Sequence, residues 1–247
     1  MYYHVLAWCG YELDKHLLNT YTLIAKPSDY EHASKVYINK LEHEVGVITN
    51  RLSTLLGIDQ DRTRGYLALA GYLHDVGKAL SMYQSNLGAY CSGKSRKPGL
   101  FGHELASMWV AYRVYQVINN GRTRRLEPFL VGVLTHHIGR QPIDGYLVRW
   151  LMNLRITRTD MPSIEALLKP LAGLVGLDVE YTMAWIEQDL DRLVKLEINN
   201  MVYDLYNSGL ARTGELVAYV IGLADAIDHQ THGTGNASPI ANAFIAL

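Results

Sequence analysis

The chain has 247 residues, and its 49% apolar content excludes an intrinsically disordered protein and suits one substantial hydrophobic core. Lysine and arginine total 23 against 24 aspartate and glutamate residues, so net charge alone gives no sign of nucleic-acid binding. The longest apolar runs, near residues 171–177 and 216–224, are too short to span a bilayer. We therefore expect a single domain over residues 1–247 with no membrane partner.

Cysteine usage and the N-terminus bear on the cellular compartment. Cys9 and Cys91 indicate neither a disulfide framework nor a paired-thiolate metal motif. The opening MYYHVLAWCG lacks the charged and apolar regions of a signal peptide. These features predict a cytoplasmic protein.

Apolar periodicity and capping residues predict an all-α helical bundle. Residues 2–8 are apolar and β-prone, and they form either an extended lead-in or part of the first helix. Residues 82–101 are predicted to form an exposed loop near the candidate metal ligands described below. The tail from Gln230 is predicted to be irregular. The predicted helices cover approximately residues 13–26, 28–56, 59–75, 103–118, 128–137, 145–156, 163–174, 182–193, 197–206 and 215–228.

The segment 73–78, Leu-His-Asp-Val-Gly-Lys, combines metal ligands, a glycine and a cation behind an apolar helix. The imidazole of His74 and the carboxylate of Asp75 suit divalent ions, and a carboxylate can bridge two of them. Gly77 lets the backbone leave the helix, and Lys78 can reach a phosphate oxygen. The alternative is a helix end with an incidental histidine, so the other histidines must decide.

Other predicted helix ends carry matching ligand types. His103 opens one helix, His136 and His137 close another, and Asp225 lies on the last. Adjacent residues on a helix diverge by about 100°, so paired histidines face one cavity only at a helix end, which Gly139 supplies. A single histidine on an apolar helix is more often a packed core residue than a metal ligand. The whole set of histidines and aspartates, however, indicates a metal site.

The order His, His-Asp-x-Gly-Lys, Gly-His-Glu-x-x-Ser, His-His, Ala-Asp resembles the HD superfamily of metal-dependent phosphohydrolases. The Gly-His-Glu-Leu-Ala-Ser element at 102–107 and the doubled histidine are similar to the HD nuclease of type I CRISPR interference, here as a stand-alone chain. The resemblance covers about residues 2–228, although residues 144–214 carry none of its motifs. It implies an HD-domain helical bundle with a metal site at the ends of central helices.

The resemblance also implies the roles of the site residues. Asp75 would bridge two divalent ions, and the imidazole and carboxylate ligands suit Mg, Mn or a transition metal such as Fe, Co, Ni or Zn. Asp75 and Lys78 would be catalytic, with Lys78 positioning or neutralising the scissile phosphate. One ion would also be held by the first histidine, His74 and Asp225, and the other by His103, His136 and His137.

The first histidine of the pattern has two candidates. His16, in a Leu-x-x-His-Leu context, matches the CRISPR family, whereas His43 has the shorter spacing to His74 that is typical of generic HD phosphohydrolases. We favour His16. Asp228 is a possible substitute for Asp225. The histidines that match no motif are expected at the surface or in packing: His4, His32, His229 and His232.

Residues 88–95 satisfy the P-loop pattern G-x-x-x-x-G-K-[ST], but a P-loop needs a preceding strand and a following helix. Pro98 disfavours that helix, so we interpret the segment as a basic loop beside the metal site, with Lys94, Arg96 and Lys97. A phosphate path is predicted along Arg122, Arg124, Arg125, Arg140, Arg155 and Arg158, with Tyr83, Tyr90 or Trp109 as stacking surfaces.

The resemblance implies a hydrolase, specifically an endonuclease or exonuclease that cuts single-stranded DNA in CRISPR antiviral defense. A separate CRISPR helicase subunit and an RNA-guided surveillance complex would be its partners. The alternatives are an HD phosphohydrolase acting on small nucleotides and a non-catalytic docking module. The sequence leaves open the native metal, the choice between DNA and RNA, the cleavage polarity and the oligomeric state.

Overall fold

The computed structural model describes residues 5–121, 125–137, 153–190, 194–207 and 211–232. These residues are mostly helical, and their strands form a two-stranded sheet, which confirms the predicted all-α class. No helix within these ranges combines the length and the apolar content needed to cross a membrane.

A small antiparallel hairpin opens the fold where an extended or helical lead-in was the expectation. β1 (Leu6–Trp8) pairs with β2 (Tyr11–Glu12) across a turn at Gly10, whose φ of 76° favours glycine. The hairpin leads directly into α1 (Leu13–Ala25), which begins where predicted. The buried face of α1 carries His16 into the core.

Two long helices follow, each capped by a side chain. α2 (Lys35–Leu56) starts after Ser34, whose side chain accepts a hydrogen bond from the first turn. The predicted start at Ser28 was wrong, because Ser28 lies in a short 3-10 turn. α3 (Gln60–Leu73) is capped by Asp59 and is buried throughout its second half.

The predicted loop at 82–101 is only partly irregular. α4 (Ser81–Cys91) occupies its first half, and residues 92–102 form the irregular remainder. The P-loop pattern at 88–95 therefore begins inside a helix. Within the described residues it follows no strand and leads into no adjoining helix, as our interpretation required.

The next two helices agree with the sequence-based prediction. α5 (His103–Ile118) has its predicted bounds, and α6 (Glu127–Thr135) ends directly before His136. Gly139 and most of the helix predicted over residues 145–156 lie outside the described residues.

The last helices lie close to their predicted positions: α7 (Met161–Val175), α8 (Val179–Leu190), α9 (Val194–Asn207) and α10 (Ala211–Thr231). α10 is central, because it packs on α6 and also contacts α1, α2 and α3. The predicted tail lies largely outside the described residues.

Glycines let α6 and α10 approach each other closely. A Cβ atom at Gly132 would lie 2.3 Å from a methyl group of Val217, and one at Gly214 would lie 2.3 Å from a methyl group of Val131. Further along, a Cβ atom at Gly222 would lie 3.5 Å from the carbonyl oxygen of His136, so the C-terminal end of α6 lies beside the middle of α10. The helix ends that carry the predicted ligands therefore meet at one edge of the core.

A disulfide joins Cys9 to Cys91, although from the sequence alone the two cysteines showed no sign of a disulfide framework. The bond ties the N-terminal hairpin to the end of α4. Gln84 of α4 reinforces this connection, because its side chain hydrogen-bonds both the backbone N–H and the C=O of Leu6, at 2.8 and 2.9 Å.

Candidate metal centre

The end of α3 delivers two polar side chains into an apolar interior. His74 and Asp75 follow a helical stretch that is entirely buried, and the chain then turns through a 3-10 segment, Val76–Ala79. A Cβ atom at Gly77 would lie 2.2 Å from the carbonyl oxygen of His103, so only glycine allows this turn to pack on α5. The turn thereby brings Asp75 to the start of α5.

One group of side chains gathers around Asp75 Oδ2. His16 Nε2 lies 3.3 Å from this oxygen and 3.4 Å from Asp225 Oδ1. His74 Nε2 lies 3.4 Å from Asp75 Oδ2. We call His16, His74, Asp75 and Asp225 the first cluster, and their ligand atoms all lie within 4.8 Å of one another.

A second group gathers around the other oxygen of the same carboxylate. His103 Nε2 lies 2.8 Å from Asp75 Oδ1, and His136 Nε2 lies 3.5 Å from it. We call Asp75, His103, His136 and His137 the second cluster, whose ligand atoms also lie within 4.8 Å of one another. Asp75 therefore presents one oxygen to each cluster, the arrangement of a bridging ligand.

Hydrogen bonds on the far side of the rings orient the histidines. The Nδ1 atoms of His74, His103 and His136 lie 2.7, 2.5 and 2.7 Å from the carbonyl oxygens of Gly71, Leu100 and Val133 respectively. A carbonyl only accepts, so each Nδ1 must donate a proton. In the neutral form of each ring, the Nε2 lone pair consequently faces the clusters, as in histidines that bind metals.

Several polar atoms inside the clusters make no hydrogen bond among the described residues: Asp75 Oδ1, Asp225 Oδ1, His103 Nε2 and His136 Nε2. The 2.8 Å contact of His103 Nε2 with Asp75 Oδ1 joins two acceptors when the Nδ1 of a neutral His103 carries the proton. Leaving a buried polar atom unsatisfied costs about 1–3 kcal/mol, and these atoms converge instead of being scattered. Divalent cations satisfy such a set of imidazole and carboxylate donors. The residues present therefore fit a metal centre.

Both carboxylates of the clusters are ionised. Burial raises the pKa of Asp75, but Lys78 and the neighbouring histidines outweigh it and hold the pKa well below its usual range. Lys78 Nζ contacts Asp75 Oδ2 directly. At Asp225 burial is outweighed chiefly by His229, and its pKa is also well below the usual range.

The pKa shifts of the histidines run in both directions within each cluster. The pKa of His74 is lowered, mainly by burial, and that of His103 is raised, because its burial is outweighed by Glu104 and Asp75. Burial lowers the pKa of His16, but hydrogen bonds to Asp228 and Asp75 outweigh burial and raise the pKa to about 9. Burial and the neighbouring histidines hold the pKa of His137 well below its usual value. Without metal, His16 thus retains its proton at neutral pH, whereas His137 is neutral and can bind a cation.

The two candidates for the first histidine lie in different places. His16 is fully buried, and its ring centroid lies 5.2 Å from that of His74. His43 is exposed on α2 and belongs to neither cluster of the described residues. The structure therefore brings His16, and not His43, to Asp75.

Asp228 lies behind His16 and belongs to neither described cluster. Its Oδ2 accepts a hydrogen bond from His16 Nδ1 at 2.7 Å. The same carboxylate accepts hydrogen bonds from Tyr11 Oη, Asn19 Nδ2 and Tyr30 Oη, at 2.8, 2.8 and 3.0 Å. Asp228 is therefore placed to orient His16, whereas from the sequence alone it was considered only as a possible substitute for Asp225.

Two further side chains border the clusters, although neither was predicted as a ligand. His229 Nε2 lies 3.2 Å from Asp225 Oδ1, a contact that the i,i+4 spacing on one helix could have indicated. Glu104 Oε1 lies 3.7 Å from His137 Nε2. The side chains of His229, Asp225 and His137 are 16, 18 and 27% exposed, so the site opens to solvent on their side.

The remaining histidines lie away from the two clusters. His232 stacks on Tyr11 with ring centroids 4.5 Å apart, and His32 contacts the edge of His232 at 5.7 Å. These are packing contacts, as predicted for both. His4 lies outside the described residues.

The predicted phosphate path is not assembled by the described residues. Tyr83 and Trp109 are buried and offer no face for base stacking, which corrects their predicted role. Tyr90 packs against Trp8 with ring centroids 5.7 Å apart. Arg125 bonds the carbonyl of Gly57. Arg122, Arg124 and Arg140 lie outside the described residues, and Arg155 and Arg158 both lie before the start of α7.

Comparisons with protein-family models, with curated proteins and with solved structures each found no match for this chain. The site must therefore be interpreted from its own chemistry. That chemistry is a pair of buried donor sets, rich in imidazole, that share one ionised carboxylate.

Proposed function

We propose that this chain is a metal-dependent nuclease of the HD type that cleaves single-stranded DNA in CRISPR interference. The observation that carries the proposal is the pair of clusters around Asp75, with unpartnered donor atoms facing inward. A carboxylate between two sets of imidazole and carboxylate donors suits two-metal hydrolysis of phosphate esters. A separate helicase and an RNA-guided surveillance complex, implied by the motif resemblance, complete the proposal.

The proposed ligand roles follow the two clusters. Asp75 would contribute to both ions, His16, His74 and Asp225 to one, and His103, His136 and His137 to the other. When bound, two divalent ions supply positive charge to phosphate oxygens and lower the pKa of a water molecule. Four of these histidines need no reorientation for this role, because Asp228 holds the Nδ1 atom of His16 and backbone carbonyls hold those of His74, His103 and His136.

Lys78 has a role in the protein before substrate binds. Its buried ammonium group contacts Asp75 Oδ2 and lowers the pKa of that carboxyl group. The phosphate contact expected from the motif requires Lys78 to exchange this oxygen for one of the substrate. We therefore assign Lys78 first to keeping Asp75 ionised and in position.

The substrate approaches from the side of His137, Asp225 and His229 in this proposal. These side chains are partly exposed, whereas His16, His74 and His103 are buried. His229 is held beside Asp225 at this opening, where it can orient that carboxylate. The opening leads to both clusters, so a phosphate placed there meets both donor sets.

A non-catalytic docking module explains the site less well. A protein that only docks gains nothing from several unpartnered polar atoms in its core, each of which lowers stability. A phosphohydrolase for small nucleotides would use the same donors, so substrate tests must separate it from a nuclease.

The test uses metal-stripped protein and labelled single-stranded DNA oligonucleotides. Mg²⁺, Mn²⁺, Co²⁺ or Ni²⁺ is added back to wild-type protein, to Asp75→Ala and to His43→Ala, and metal binding is measured beside product formation. We expect metal-dependent cutting by wild type and by His43→Ala, because His43 is exposed and outside both clusters. Asp75→Ala should neither bind two ions nor cut.

Other results would contradict the proposal in distinct ways. Metal binding without cutting of DNA, but with hydrolysis of a nucleotide panel, would indicate the small-nucleotide enzyme. A protein that binds no metal would indicate the docking module. Loss of metal binding in His43→Ala would contradict the ligand assignment.

A further inference from the structure

The segment that links the metal motif to α5 has an unusual charge. Between Asp75 and Glu104 the sequence contains no aspartate or glutamate, although the whole chain has slightly more acidic than basic residues. The same segment carries Lys94, Arg96 and Lys97, all of them exposed. None of these three forms an ion pair with another described residue. The surface here is therefore locally positive and uncompensated.

This basic segment, residues 92–100, is fastened to the body of the protein. The disulfide at Cys91 holds its beginning, and Lys94 N donates to the carbonyl of Ala89 at 2.8 Å. Near its end, Asn86 Nδ2 donates to the carbonyl of Gly99 at 3.0 Å. The cations are thus presented on a supported surface instead of a free tail.

The end of the basic segment is bonded to a ligand of the second cluster. The carbonyl of Leu100 accepts the hydrogen bond from His103 Nδ1 at 2.5 Å, so the backbone of the segment orients that histidine. Tyr83 Oη donates to the carbonyl of Phe101 at 3.2 Å and fixes the next residue. The basic segment therefore runs directly up to the metal centre.

Phe101 stands at this junction with its ring in solvent. It is 64% exposed, although it precedes Gly102 and the buried His103. A single exposed aromatic is common on protein surfaces and proves nothing alone. Here it follows three exposed cations and adjoins a metal ligand, and this combination is what single-stranded nucleic acids require: cations for the backbone and a ring for a base.

We infer that Phe101 and the cations Lys94, Arg96 and Lys97 form the surface that binds single-stranded DNA beside the metal centre. A base stacks on Phe101, and the cations contact the phosphates that lead away from the site. The inference rests on the proposed nuclease function, because a free nucleotide has no chain of phosphates for these cations. It also replaces the predicted stacking role of Tyr83 and Trp109, which are buried.

The experiment measures binding separately from cutting. Fluorescence anisotropy of a labelled oligothymidine is recorded in EDTA with wild type, Phe101→Ala, Tyr203→Ala and the triple variant Lys94→Gln/Arg96→Gln/Lys97→Gln. Tyr203 is the matched control, because it is an aromatic residue of 69% exposure on α9. Thermal unfolding and metal binding of each variant confirm that the fold and the centre are intact.

We expect Phe101→Ala to weaken binding about 5- to 150-fold, the range found when one stacked base loses its aromatic partner. The triple variant should also bind more weakly, and the slope of log affinity against log salt should fall by about 2, or about 0.7 for each lost phosphate contact. Tyr203→Ala should bind like wild type.

The possible outcomes separate this surface from the nuclease activity. If wild type cuts DNA but Phe101→Ala and the triple variant bind as tightly as wild type, the proposed DNA-binding surface is contradicted and the proposed nuclease function is supported. If DNA binding depends on Phe101 but no metal supports cutting, the proposed nuclease function is contradicted and the proposed DNA-binding surface is supported. Absence of any binding by wild type, or equal losses in Tyr203→Ala and Phe101→Ala, would overturn the surface.

Discussion

His16 differs from the other oriented histidines in the partner of its Nδ1 atom. His74, His103 and His136 donate to backbone carbonyls, whereas His16 donates to the carboxylate of Asp228. A carboxylate partner makes an imidazole a stronger metal ligand than a carbonyl partner does. The first cluster therefore depends on a residue that is outside it.

Replacing Asp228 with Asn tests this dependence. The amide keeps the size of the side chain but loses the charge, so we expect affinity for the ion of the first cluster to fall about 10- to 100-fold. Titration of metal-stripped protein by calorimetry would show one weakened site and one unchanged site. Tyr30→Phe is the matched control, because it removes one donor to Asp228 without touching His16. Equal weakening in both variants would indicate a general structural effect.

The protonation of His16 predicts a pH dependence for the metal-free protein. Its pKa is raised from 6.5 to about 9 on folding, so its contribution to stability is complete below pH 6.5 and is lost as pH rises through 9. We expect the free energy of unfolding to fall by up to about 3 kcal/mol over this range. Denaturant unfolding in EDTA measures it. His16→Gln should remove this part of the pH dependence, and a profile identical to wild type would contradict the assignment.

At the scale of elements, the contact between α6 and α10 determines where His136 and Asp225 lie. α6 ends directly before His136, and α10 carries Asp225 and Asp228. Gly132 allows Val217 to approach the α6 backbone, so the spacing of these helices follows from the absence of a side chain. Widening this contact would separate residues of the two clusters.

Gly132→Ala is therefore expected to destabilise the protein by about 1–3 kcal/mol, the usual cost of overpacking, and to weaken metal binding. Gly46→Ala is the matched control in α2, where an added Cβ atom would meet nothing within 4 Å. That change should stabilise the protein by up to about 1 kcal/mol, because alanine favours the helix. Urea unfolding compares the two, and equal effects would show that the α6–α10 contact is not tight.

At the scale of the whole molecule, the disulfide connects the ends of a long stretch of chain. Cys9 and Cys91 are separated by 82 positions, and α1, α2 and α3 lie between them. Cross-links over long loops restrict the unfolded chain most. The hairpin before α1 is thereby secured beside the basic segment that follows α4.

The double variant Cys9→Ser/Cys91→Ser should lose roughly 4 kcal/mol of stability, as expected for a loop of this length. It should still bind metal, because none of the cluster residues lies on the hairpin or on α4. Guanidinium unfolding with and without a reducing agent measures the effect. Reduction should lower the stability of wild type to that of the variant, and an unchanged wild type under reduction would contradict the prediction.

The sequence by itself determined the features that depend on local interactions. Apolar periodicity and capping placed most helices, since a helix needs only near neighbours to form. The bounds of α5 and the position of α3 before His74 are examples. The candidate ligands were also found locally, because histidine and aspartate at helix ends are visible in the sequence.

Only the tertiary structure decided which of these residues meet. The packing of α1 and α10 decided that His16, and not His43, lies at Asp75. The same packing places Asp228 behind His16. The contact of His229 with Asp225 likewise brings a side chain of α10 to the site. The pairing of Cys9 with Cys91 and the burial of Tyr83 depend likewise on distant parts of the chain. Sequence spacing gives the order of side chains along a helix, but a site is made by distances between helices, and core packing sets those distances.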